Sequence, residues 1–90
     1  MVPNVAKSLR ARLIESGFDD VIIFDDCSYD DALIGVTADH RAVYDFDRMV
    51  EGLKEKDHLN EEAAVEWVAY NTIPALPSEG PGAPIIVYKV

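Results

Sequence analysis

One thiol and two imidazoles, Cys27, His40 and His58, are the chain's whole stock of strong nucleophiles and near-neutral bases. A Cys–His pair does acyl chemistry only where the imidazole can take the thiol proton, so the two must meet in space. Each histidine follows an acid, as Asp39-His40 and Asp57-His58, but adjacent side chains usually point apart, which argues against an Asp–His dyad. His40 falls in an expected hairpin turn and His58 in a link between helices, both solvated places. Cys27 reads as a small loop residue rather than a nucleophile. Asp25, Asp26, Asp30 and Asp31 crowd one loop, but a calcium loop needs a central glycine and a closing bidentate Glu. The run DDCSYDDALIGV supplies neither in place, which leaves an opportunistic cation site as the one metal reading. There is no glycine-rich phosphate loop, no GxSxG and no paired Cys or His ligand set. SEGPGAP is broken by proline and places its amides poorly for phosphate. The expectation is a protein without catalytic activity, metal or cofactor.

The charge distribution carries more information. Seventeen acids against eight bases give a formal net charge of -9. From Leu13 to His40 the acids are Glu15, Asp19, Asp20, Asp25, Asp26, Asp30, Asp31 and Asp39, with no Lys or Arg. From Asp57 to Tyr88 they are Asp57, Glu61, Glu62, Glu66 and Glu79, again with no Lys or Arg, whereas Arg41 to Lys56 is balanced. Such a balance disfavours nucleic acid and anionic membrane as direct partners and favours a basic protein surface. If the carboxylates share a face, they could imitate duplex phosphates, which present one charge per ~1.7 Å of axis. The competing reading is that dispersed acids keep a small protein soluble.

Elements must position these acids. The stretch NEEAAVEWVAYNTI is the clearest helix, with Asn60 as cap, Glu61 and Glu62 in the first turn, and Ile73 before Pro74 as its end. Ala63, Ala64, Trp67, Val68 and Asn71 recur at spacings of three and four, which makes Trp67 the expected anchor of a buried stripe. Pro3 and Asn4 open an earlier helix with Val5, Leu9 and Leu13 inward, stopped by Gly17 and Phe18. Phe46, Met49, Val50 and Leu53 mark a middle helix capped by Asp45 or Asp47.

Strands are expected at Val21–Phe24, Ala32–Thr37, Ala42–Tyr44 and Ile85–Tyr88, with a hairpin turn at Ala38–Arg41 and a polar loop over Asp25–Asp30. Gly35 inside a strand suggests a bulge or a close approach by another element. PALPSEGPGAP, from Pro74 to Pro84, reads as a loop that cannot be helical. The order α-β-β-β-α-α-β predicts a single α+β domain over residues 1–90, with a roughly four-stranded, mostly antiparallel sheet and helices on one face.

With 49% hydrophobic and 28% charged residues the chain is globular in type. A lone cysteine excludes an intramolecular disulfide and points to a reducing compartment. MVPNVAKSLRARLIES lacks the apolar run of a signal peptide, and no stretch approaches a membrane span. A soluble monomer in the bacterial cytoplasm is the expectation.

The runs AVYDFDRMVEGL, EEAAVEWVAYNTIPALP and APIIVY, within Ala42 to Tyr88, resemble short acidic bacterial and prophage-borne proteins. Size, charge and α+β pattern also resemble small anti-CRISPR proteins, a likeness of type, since those families share no common signature. That resemblance implies an inhibitor that occupies the DNA-binding surface of a CRISPR-Cas effector subunit, a basic surface built for nucleic acid. Asp19, Asp20, Asp25, Asp26, Asp30 and Asp31 are the first contact candidates and Glu61, Glu62 and Glu66 the second. The alternative is a housekeeping or antitoxin-like interaction module with an apolar contact surface around Tyr29, Tyr44, Tyr70 and the proline-rich loop.

Overall fold

The computed structural model describes residues 9–24 and 27–90. In chain order it holds helix α1 (Leu9–Glu15), a 3₁₀ turn (Cys27–Ala32), strands β1 (Leu33–Val36) and β2 (Ala42–Asp45), and helices α2 (Phe46–Lys56) and α3 (Glu61–Trp67). A π-helical stretch (Val68–Thr72), a second 3₁₀ segment (Ile73–Glu79) and strand β3 (Ile85–Val87) complete it. The class is α+β, as the element pattern predicts.

Local signals account for most helix ends. Gly17, at φ +89°, closes α1 while the Phe18 and Gly17 N–H groups donate to Leu13 O (2.8 Å) and Ile14 O (3.1 Å). These are the paired bonds of a left-handed helix stop, for which glycine carries no Cβ penalty. The Asp45 carboxylate caps α2 by accepting from Arg48 N–H at 3.1 Å. Asn60 caps α3 through Ala63 N–H at 2.8 Å. The expected start of the first helix at Pro3, Asn4 and Val5 lies outside the described residues.

The sheet departs from expectation in number and direction. Among the described residues it has three strands in the order β1-β2-β3, the first pair antiparallel and the second parallel. A parallel neighbour needs a long crossover, and α2 and α3 supply it. Val21–Phe24 is not the expected fourth strand: it has no strand pairing, and the Phe24 N–H donates to the Tyr44 hydroxyl at 3.2 Å. Val21 is buried, and Ile23 and Phe24 pack against the core, so the run is apolar because it crosses the core. The loop expected over Asp25–Asp30 becomes the 3₁₀ turn from Cys27 onward.

The expected hairpin forms, with His40 in the left-handed region at φ 64° and Thr37 N–H donating to Arg41 O at 2.8 Å. The register shifts between Leu33 and Gly35, so Ile34 is an extra, bulged residue. Leu33 then stands opposite Tyr44 and Val36 opposite Ala42. Three positions apart in sequence, both pack against the core, which strict alternation would forbid.

The core gathers Ala42 and Tyr44 of β2, Met49, Val50 and Leu53 of α2, and Ala64 and Val68, with Tyr29 and Ala32 from the 3₁₀ turn. Trp67 is not its anchor. The indole is 49% exposed and Asn71 is also at the surface, while Ala64, Val68 and Thr72 turn inward. Nor does the helical backbone stop at Ile73. It continues as a 3₁₀ segment to Glu79 with Pro74 in its first turn, where the missing N–H forfeits no bond, and with Pro77 inside it.

Candidate partner-binding surface

The two base-free blocks of the sequence meet in space. Tyr29, from the first, and Thr72, from the second, share a buried hydrogen bond of 2.7 Å between their hydroxyls. The 3₁₀ turn that carries Tyr29, Asp30 and Asp31 packs extensively against α2, and α3 with Glu61, Glu62 and Glu66 packs against α2 as well. Tyr29→Phe should cost about 1–3 kcal/mol, since it strands the Thr72 hydroxyl in the interior. Adding Thr72→Val should recover most of that loss in urea melts, whereas additive losses would mean that the hydroxyls are not energetic partners.

The candidate acids differ in their surroundings. Asp19, Asp31, Glu62 and Glu66 are exposed, Asp30 is half-buried, and Asp25 and Asp26 lie outside the described residues. Glu61 is partly neutralised, because Lys54 Nζ–H donates to it at 3.2 Å and to Glu51 at 3.3 Å. The Glu61 hydrogen bond, then the Glu51 bond and charge, hold the lysine's proton above its ordinary 10.5. Among the described residues Glu62 and Glu66 make no ion pair, so they present fuller negative charge than Glu61. A groove of about 330 Å³ between α2 and α3 is lined by Asp47, Glu51 and Glu61 with Phe46, Val50 and Val65.

Asp20 meets His40, a pairing that the sequence did not disclose because the partners are twenty residues apart. The His40 Nδ1 and Asp20 Oδ1 atoms stand 2.8 Å apart, and the Phe18 ring meets the imidazole edge-on at 5.0 Å. The histidine hydrogen bond pulls the Asp20 carboxyl below its ordinary 3.8. A carboxylate with a depressed value contributes stability that is present above pH 3.8 and is lost as pH falls through the lowered value. Both groups are well exposed, so the contribution is small. In a carboxyl-detected NMR titration His40→Ala should move the Asp20 midpoint up toward 3.8, and an unmoved midpoint would remove the pair. His58 sits apart in the α2–α3 link, exposed and at φ 59°.

Among the described residues no group of three or more His, Cys, Asp or Glu side chains is placed to hold a metal ion. None of their helices is long and apolar enough to cross a membrane. The aromatic candidates divide: Tyr29 and Tyr44 are buried, correcting their expected place in a contact surface, while Tyr70 is 74% exposed. Trp67 is the surface aromatic that sequence reasoning missed, its helical spacing having assigned it to the core. No family model, curated protein or solved structure matches this chain.

Proposed function

We propose that this protein is a non-catalytic acidic inhibitor that occupies a basic nucleic-acid-binding surface of another protein. The observation that supports the reading is the junction at Tyr29 and Thr72, which brings into contact two segments free of Lys and Arg. Asp30 and Asp31 on one segment and Glu62 and Glu66 on the other would face the partner, with exposed Asp19 as a further contact. Binding would be steric and electrostatic: long-range attraction speeds encounter, and salt weakens it. Resemblance in size and charge to anti-CRISPR proteins makes the DNA-binding surface of a CRISPR-Cas effector, in the bacterial cytoplasm, the first partner to test.

Purified protein is mixed with effector and labelled target duplex at low and high salt, and bound DNA is measured. The expected result is displacement of DNA that salt relieves. Asp30→Lys with Asp31→Lys, or Glu62→Lys with Glu66→Lys, should each weaken displacement roughly tenfold or more with the fold retained. Displacement that survives reversal of both pairs would reject the acidic mechanism. The second reading, an antitoxin-like interaction module, draws on the exposure of Trp67, Tyr70 and Tyr88. It predicts a partner whose affinity scarcely responds to salt and falls on Tyr70→Ala.

A further inference from the structure

The exposed tryptophan has a built environment. After Trp67 the chain enters a π-helical stretch, Val68–Thr72, a widened turn found mostly as a single bulge and frequently at functional sites. Val68 and Thr72 stay buried, while Trp67, Asn71 and Ala75, at steps of four, line a pocket of about 260 Å³. The same pocket is lined by Phe24 and Tyr29 from the other base-free segment, and by Glu79 from the second 3₁₀ segment. Its aromatic side is held in place: Phe24 meets Tyr29 edge-on at 5.2 Å and Tyr44 at 4.7 Å.

We propose that this pocket receives a single arginine side chain presented by a basic partner protein. At about 260 Å³ it is smaller than the ~300–1,000 Å³ clefts that take drug-sized ligands. An indole face is the strongest aromatic partner for a cation, and half-exposed Trp67 is part of the lining. The Glu79 carboxylate supplies the counter-charge and the Asn71 amide a further hydrogen-bonding group, while the Tyr29 and Thr72 hydroxyls bond each other. Every lining residue comes from Leu13–His40 or Asp57–Tyr88, which contain no Lys or Arg, so neither segment brings a cation of its own to the site. Arginine fits better than lysine because its planar guanidinium both stacks on an aromatic face and bonds a carboxylate bidentately.

The proposal rests on the preceding reading only in taking the partner to be basic, and its test needs no effector. Trp67 is the single tryptophan, so its emission reports on the pocket directly. A hexa-arginine peptide should change that emission saturably, and a hexa-lysine peptide should bind at least roughly threefold more weakly. Glu79→Gln should weaken hexa-arginine binding by about tenfold. Glu55→Gln, the same charge change at an exposed acid of the balanced segment, should leave it within about twofold. An emission that does not saturate, or equal losses from Glu79→Gln and Glu55→Gln, would overturn the pocket and leave only bulk attraction. A protein that binds hexa-arginine at Trp67 but never displaces DNA would keep the pocket and sink the inhibitor reading.

Discussion

Gly52→Ala is expected to destabilise the protein by about 3 kcal/mol or more, at the upper end of the cost of overpacking a core. A Cβ at position 52 would stand 1.9 Å from the carbonyl oxygen of Ser28 and 3.1 Å from its carbonyl carbon. Those are backbone atoms of the 3₁₀ turn, so relief requires parting that turn from α2, its most extensive neighbour. Alanine favours a helix interior over glycine by about 1 kcal/mol, an opposing gain that the collision outweighs. For a domain of this size each kcal/mol lowers Tm by about 4–8 °C, so the loss should be plain in a thermal melt. Gly35→Ala is the control, because its Cβ would meet nothing within 4 Å. A Gly52→Ala protein as stable as the parent would mean that the 3₁₀ turn does not lie against α2. Since that turn carries Tyr29, Asp30 and Asp31, the candidate surface would then have to be redrawn.

The second large effect separates two assignments of the core. Tyr44→Ala should cost about 3–5 kcal/mol, as truncation of a fully buried aromatic does. Tyr44 is 0% exposed, lies at 4.7 Å from the Phe24 ring and accepts the Phe24 N–H. Against a total stability near 5–15 kcal/mol, that loss removes from about a fifth to all of the folding free energy. Trp67→Ala, at a residue 49% exposed, should cost only about 1–2 kcal/mol, because roughly half of its apolar area is never removed from water. Denaturant midpoints for the two variants decide the matter. If Trp67→Ala proves the more damaging, the indole is the core anchor after all and the arginine pocket has no open wall.

Wherever the structure agrees with the sequence, the cause is local. Asn60 and Asp45 cap helices because their side chains reach N–H groups three residues on. Gly17 stops α1 because it tolerates φ +89°. The Met49, Val50 and Leu53 stripe is buried as its spacing requires. The segregation of charge into two base-free blocks was equally plain from the order of residues alone.

The rest is non-local. An apolar run such as Val21–Phe24 satisfies a strand or an irregular core crossing equally well, and only the neighbour opposite it, Tyr44, settled which. Gly35 announced irregularity, but the residue that bulges is Ile34, chosen by the need to bring Leu33 and Val36 onto one core face. Trp67 shares a stripe with Val68 at helical spacing. A helix has more apolar positions than its neighbours can cover, and here Tyr44, Met49, Leu53 and Val68 fill the interior. Distance along the chain likewise concealed the Asp20–His40 pair and the Tyr29–Thr72 bond. Residue order decided that the chain would carry two negative segments, whereas packing brought them together at one junction, because contacts between segments more than forty residues apart exist only once the core has formed.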